Sequence, residues 1–228
     1  MPSNSMHFQV LRATNRTSDI WRKSVHLQRQ VYCRERGFES LTGNENPERF
    51  DRYDVHQSKR VAVVAKNENR VIATARIISP TYSNDVPAMK LQPSLANKFR
   101  GIRYVESSGF CSSKEIKQSL GLTDPESGKC IMLLLIAASI ALGQETGATH
   151  AVMVIEQTLF RILKRLGIPL TPFGDPVEYH GTRRVYYGAF SKILSSLKRK
   201  NAKLWEELTH GHAVSYLLEQ KQNERYVA

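Results

Sequence analysis

The sequence predicts an α/β domain in which a mixed central sheet is flanked by helices and followed by a helical C-terminal tail. Three observations carry that prediction. Helical and strand-like segments alternate along the 228 residues, with no internal repeat or low-complexity tract. Two runs rich in Val and Ile, residues 60–66 and 70–79, flank the turn Asn67-Glu68-Asn69 in the manner of a β-hairpin. An apolar run from Cys130 to Leu142, broken by Ser139, has the length of a core helix and falls short of the roughly 18 to 20 residues that span a bilayer.

Each element has a local cause. Thr17 and Ser18 are capping residues ahead of a helix that carries Ile20, Ser24, Leu27 and Val31 on one face, with Trp21, Val25, Gln28 and Tyr32 beside it, and that ends near Gly37. Residues 39–58 are polar and contain Pro47, which predicts a long loop with one helical turn at most; loops of that length in compact domains are often functional. After the hairpin, a second polar stretch with three prolines leads to the strand RYVESSGFC (103–111), and SKEIKQSL then reads as a short helix. Gly121 to Gly128 is expected to be a loop opening into the apolar helix of residues 129–142. THAVMVIE (149–156) reads as a buried strand. QTLFRILKRLG (157–167) reads as an amphipathic helix stopped by Gly167, with Leu159, Ile162, Leu163 and Leu166 on one side. Two short extended pieces and the strand TRRVYYGAF (182–190) follow, so one domain over residues 1–190 and a basic helical extension over 191–228 are expected.

Composition bounds the function. Lys and Arg outnumber Asp and Glu 33 to 21, a net charge of +12 that calls for an acidic partner. Nucleic acid is one candidate, but no helix-turn-helix, zinc finger or stacking-aromatic RNA motif is present, so no specific nucleic-acid binding is expected. The three cysteines, Cys33, Cys111 and Cys130, form no CxxC pair and support neither a disulfide framework nor a zinc site. With no signal-like or membrane-spanning segment, the expected location is the cytoplasm.

Several motifs sharpen the reading. RVIATARIIS followed by VESSGF resembles the LuxI-type autoinducer synthases, in which a G-x-x-R strand precedes a strand bearing E-x-S-R-F. Val31-Tyr32, Phe38 and the pair Asp51 and Asp54 match that family's V-F, W and D-x-x-D positions. VYCRERGFE and FGDPVEYHGTRRVYYG are similar to signatures of the related long-chain N-acyl amino acid synthases and of acyltransferases found with PEP-CTERM/exosortase systems. The order of elements is also that of the N-acetyltransferase (GNAT) superfamily. Two departures stand out: Gly109 replaces the Arg of E-x-S-R-F, and Gln28 stands where an Arg is expected, with Arg29 displaced by one.

The resemblance implies aminolysis of an acyl thioester, which needs a neutral amine, a proton acceptor and donors for the developing oxyanion. Glu106 is the candidate base, direct or through water; pattern alone favours a surface Glu on an edge strand, and the resemblance reverses that preference. Ser107, Ser108, Phe110 and Cys111 then line the thioester, together with Tyr32 and Phe38 on the substrate side. No histidine adjoins Cys111 in sequence, so direct transfer is expected over an acyl-enzyme. Arg76 is the expected anchor for a carboxylate, or else a solvated Arg on a sheet face. Asp51 and Asp54, three apart, are expected to bind an ammonium group or pair with Arg76, and no third ligand completes a metal site.

Ser127, Gly128 and Lys129 are expected to hold a pantetheine phosphate at the start of the apolar helix, the plain alternative being an ordinary capped helix. Lys164, Arg165 and Arg183 are expected to face an acidic carrier protein, although charge runs are often only solvated surface. The function implied is transfer of a long fatty acyl chain from the phosphopantetheine of acyl carrier protein to an amino acid, with tyrosine the first acceptor to try, and with no tightly bound cofactor. An acyl-homoserine lactone synthase using S-adenosylmethionine is the other enzymatic reading.

Overall fold

The computed structural model describes residues 6–12, 18–39, 58–65, 69–80, 86–202 and 205–206. Seven strands form one sheet: β1 (Met6–Arg12), β2 (Ser58–Ala65), β3 (Arg70–Ile78), β4 (Tyr104–Ser112), β5 (His150–Ile155), β6 (Thr171–Glu178) and β7 (Thr182–Ala189). Their spatial order is β1-β2-β3-β4-β5-β7-β6. All neighbours are antiparallel except β4 and β5, so the sheet is two antiparallel halves joined by one parallel pair. The long apolar runs of β2 and β3 follow from burial on both faces. Val61, Val63, Ile72 and Ile77 belong to the main core on one side, while Ala62, Val64 and Val71 meet a second core on the other.

The second core is made by helix α1 (Asp19–Arg29), capped as expected by Ser18, whose side chain accepts from the Trp21 N–H. Its buried side carries Trp21, Val25 and Leu27. The helix continues as a π-helical turn, Gln30–Glu35, and stops before Gly37, where φ is +63°. Two short helices, α2 (Pro87–Leu91) and α3 (Leu95–Lys98), cover the same face further along the sheet. After α4 (Lys114–Ser119), the apolar segment forms α5 (Pro125–Glu145), the main helix of the opposite face. Its buried Ser139 is accommodated because the hydroxyl donates to the Leu135 carbonyl. Helix α6 (Gln157–Arg165) follows β5, and α7 (Phe190–Lys200) closes the described chain's last long element.

Four expectations change. Strand β1 lies in a segment read only for signals, and α2 lies in a stretch read as polar loop although Pro87, Ala88 and Met89 are buried. The apolar helix starts at Pro125 with Asp124 as its cap, four residues before the expected start. The boundary expected at residue 190 falls on a helix that is part of the domain: Phe190, Ile193 and Leu197 lie in the main core. The amphipathic spacing of those three residues had no partner visible in sequence, whereas the core supplies one. Residues 40–57, with Asp51 and Asp54, and residues 207–228 lie outside the described residues.

Candidate active site

β4 and β5 are hydrogen-bonded partners at only three positions: Tyr104 with His150, Val105 with Ala151, and Glu106 with Val152. Beyond Glu106 the strands part, although β4 continues to Ser112 against β3 and β5 to Ile155 against β7. On β4 the residues Gly109 and Phe110 lie opposite the single residue Ala75, a β-bulge made possible by φ of +63° at Gly109. A parted pair beside a bulge exposes backbone N–H and C=O groups that a sheet would otherwise consume.

A cavity of about 240 Å³ occupies the gap. Its walls come from both faces of the sheet: Tyr32 and Cys111 from the α1 side, and Ile131, Leu135 and Ile155 from the α5 side. Ser107, Ser108, Gly109 and Phe110 form one edge, with Glu156 and Arg183 across from them. A larger depression, about 730 Å³, lies at the other end of β4 around Arg100 and Arg103, and is lined by none of the residues singled out by sequence.

Glu106 sits at the fork. Its side chain is fully buried, Oε2 accepts the Ala88 N–H at 2.8 Å, and Oε1 is a buried atom without a hydrogen-bond partner. Burial raises its pKa to about 8, against the pull of the Ala88 N–H and the charges of Arg76 and Lys90. The carboxyl therefore completes the start of α2, which has no side-chain cap of its own, and keeps one oxygen for a proton. The edge-strand reading of this residue does not hold, since β4 is central.

Arg76 is 5% exposed and directs Nε to Ser108 Oγ at 3.3 Å. It is not among the residues that line the cavity; it is a buried cation on β3 beside Ser108, its charge opposes the rise at Glu106, and its expected partners Asp51 and Asp54 lie outside the described residues. Cys111 lines the cavity, and burial pushes its thiol up to about 12. Such a thiol stays protonated at neutral pH, which favours direct transfer.

Arg183 also departs from expectation. Its side chain is 11% exposed and faces the cavity, not a carrier-binding surface. The guanidinium lies 5.2 Å over the Phe38 ring, Nη2 is 3.7 Å from Glu156 Oε1, and Nε is buried without a partner. Phe38 in turn meets Tyr32 edge-on, with ring centroids 5.8 Å apart, and Tyr32 packs against His180 at the same centroid distance. Burial raises the Tyr32 phenol above its usual range, opposed by Arg183 and Arg76. Lys164 and Arg165, by contrast, are exposed as expected.

The phosphate cradle is modified as well. The Asp124 carboxylate accepts the Ser127 N–H at 2.8 Å and the Gly128 N–H bonds to the Asp124 carbonyl. A helix start already holding a carboxylate is a poorer anion site, because its donors are used and its positive dipole end is offset. Gly128 remains on the cavity wall, Ser127 does not line it, and the Lys129 side chain lies outside the described residues.

Sequence reasoning missed Gly109 as a conformational requirement and Glu156 as a rim charge. It also missed the link between the two motif departures. A Cβ added at Gly109 would lie 3.4 Å from Gln28 Oε1, and that same oxygen accepts from Arg60 Nη1 at 2.8 Å. Gln28 thus borders the space beyond the Cβ position, into which a long side chain at 109 would extend. Only the glycine itself, following a strand-forming run, signalled a bulge.

No curated protein sequence matches the chain. Among solved structures, FeeM, an N-acyl amino acid synthase from uncultured soil microbes, aligns with a TM-score of 0.64 at 13% identity, covering 85% of this chain and 96% of FeeM. BjaI, a CoA-dependent acyl-homoserine lactone synthase solved with S-adenosylmethionine and isopentyl-CoA, aligns with a TM-score of 0.61 at 15% identity, covering 88% and 90%. A Lactobacillus plantarum protein described as an N-acetyltransferase aligns at 0.52 and 15%, covering 82% and 99%. These likenesses establish the shared N-acetyltransferase-like fold. The family model for autoinducer synthases matches residues 23–198, from within α1 to within α7 and across every part of the site described above. The chain is an acyltransferase and belongs to the autoinducer synthase family.

Proposed function

We propose that this acyltransferase moves a fatty acyl group from the phosphopantetheine thioester of acyl carrier protein to the α-amine of an amino acid, in the cytoplasm. The observation that carries the reading is the cavity between the parted strands, with the bulge at Gly109 on one wall and the buried Glu106 at its fork. A thioester lying along β4 finds unpaired backbone N–H groups for the oxyanion. Its acyl chain finds apolar walls in Ile131, Met132, Leu135 and Leu159. Glu106, with a pKa near 8, accepts the ammonium proton through water, leaving the amine free to attack and the pantetheine thiol to depart. The exposed Lys164 and Arg165 on α6 offer an acidic carrier a surface next to this cleft.

Synthesis of an acyl-homoserine lactone from S-adenosylmethionine is the second reading, favoured by the family match over residues 23–198. Against it stands Gly109 in place of the pattern's arginine, with Gln28 filling the adjoining space. Incubating the protein with acylated carrier protein or acyl-CoA, and with either the proteinogenic amino acids or S-adenosylmethionine, followed by mass spectrometry of products, separates the two. An N-acyl amino acid is expected; an acyl-homoserine lactone would replace the first reading by the second, and no acylated amine would remove both.

A further inference from the structure

We propose that Arg183 selects the acceptor by binding its carboxylate, an inference that rests on the acyl-transfer reading above and adds the chemical class that the acceptor must have. The residue is the second of β7, and its side chain lines the cavity where the amine must approach the thioester. Three of its surroundings specify a ligand. The guanidinium lies 5.2 Å over the ring of Phe38, an attraction that holds the cation at the cavity. Nε is buried and has no acceptor, a deficit that costs free energy unless a ligand supplies an oxygen. The Glu156 carboxylate lies 3.7 Å from Nη2, so this rim carries one charge of each sign.

That pairing discriminates between anions. A phosphate dianion brought to Arg183 would meet Glu156 as a like charge, whereas an α-amino acid brings a carboxylate for the arginine and an ammonium group compatible with the glutamate. A planar carboxylate also fits the guanidinium edge through two parallel hydrogen bonds. Arg76 is less well placed, because it is buried on β3 with Nε directed to Ser108 and is not among the residues that line the cavity. Arg36 lines the cavity but is exposed, where an ion pair with a ligand is screened by water.

The test compares carboxylate-bearing acceptors with their decarboxylated counterparts: tyrosine with tyramine, leucine with isoamylamine, and S-adenosylmethionine with its decarboxylated form. For wild type and for R183Q, kcat/KM is measured for each pair at saturating acyl donor. The preference for the carboxylate-bearing member is expected to fall by about tenfold to hundredfold in R183Q, as loss of a charged hydrogen-bonded contact implies. R183K keeps the charge without the fork and is expected to fall between the two.

An unchanged preference in R183Q overturns the inference. So does a rise in donor KM, measured separately by varying the acyl donor at fixed acceptor, with both acceptors of a pair affected equally, since the arginine would then hold the donor. Thermal shift of the unacylated protein supplies a readout independent of turnover: tyrosine, leucine or S-adenosylmethionine should raise Tm where the matching amine does not, and R183Q should abolish the difference. If no amine is acylated, the proposed function fails on its own. The thermal-shift comparison still decides whether Arg183 binds a carboxylate, and equal shifts by both members of every pair would sink the inference.

Discussion

Arg183 stands 5.2 Å above the ring of Phe38, joining the last hairpin of the fold to the segment that follows its first helix. Tyr32 meets the same ring edge-on and His180 packs on Tyr32, so the motif near residue 35 and the motif near residue 180 are one cluster in space. Both motifs are therefore parts of one wall of the cavity. A double-mutant cycle of F38L and R183Q, read by chemical unfolding, should give a coupling of about 0.5–1 kcal/mol, the size of a partly exposed cation–π contact. Leucine keeps the apolar bulk, so the coupling isolates the ring face. Additive single effects would mean that the ring does not hold the arginine.

Glu106 should make both stability and rate depend on pH. Its folded pKa, near 8, lies above its ordinary value of 4.5. The folded state thus holds a proton that the unfolded chain releases first. The sign follows: this contribution is fully present below the unfolded pKa and is lost as pH rises through the folded pKa, over about pH 4.5 to 8. E106Q, neutral and nearly isosteric, should remove that component of the slope, and Tm measured from pH 5 to 9 for both proteins checks it. The rate should move the other way in wild type, rising with pH towards a plateau above 8 as the base form accumulates, while E106Q loses about two to four orders of magnitude in kcat. A variant with full turnover removes Glu106 as the base.

Strong periodicity made the hairpin of β2 and β3, the apolar helix and the strands β4, β5 and β7 legible, because their residues are dictated by burial on known faces. β1 was not legible, since its strand pairing with β2 is a long-range contact that no local pattern announces. Helix α2 was hidden by its proline, yet Pro87 occupies the first helical position, where its missing N–H costs nothing. For the site, sequence supplied the identities of Glu106, Tyr32, Phe38, Cys111 and Arg183, and each of them lies in or beside one cavity. Their roles depended on direction. Whether an arginine turns towards a serine of the neighbouring strand, as Arg76 does, or into a cleft, as Arg183 does, is set by tertiary packing alone.

The C-terminal helix α7 should behave as part of the domain. Leu197 is fully buried in the main core, so L197A should lower stability by about 2–5 kcal/mol, the cost of lost burial plus the cavity left behind. For a chain of this size that corresponds to a fall in Tm of roughly 5 to 15 °C. S195A on the exposed side of the same helix should stay within about 0.5 kcal/mol of wild type. Equal, small effects at both positions would restore the view of this segment as an appendage. Equilibrium unfolding by urea, fitted with a common slope, measures both.

Gly109 should prove essential for its backbone and not for its small size. Its φ of +63° lies in the left-handed region, where an L-residue costs about 1–2 kcal/mol more than glycine. The space itself is open enough: an added Cβ would make ordinary contacts, 3.4 Å from Gln28 Oε1 and 3.7 Å from Arg76 Cβ. G109A should therefore destabilise by about 1–2 kcal/mol. The same increment should appear in a Q28A background, where the nearest contact is gone. If the cost vanished there, crowding by Gln28 would be the cause instead. Because the bulge directs Phe110 towards the cavity and leaves Ala75 opposite two residues, relaxation of Gly109 to negative φ would flatten β4 and narrow the gap from β5. G109A is thus expected to lose turnover out of proportion to its loss of stability. An arginine at 109, as in the autoinducer pattern, would have to displace the Gln28 side chain that binds Arg60. G109R should accordingly cost more than G109A, and the excess should shrink in the Q28A background.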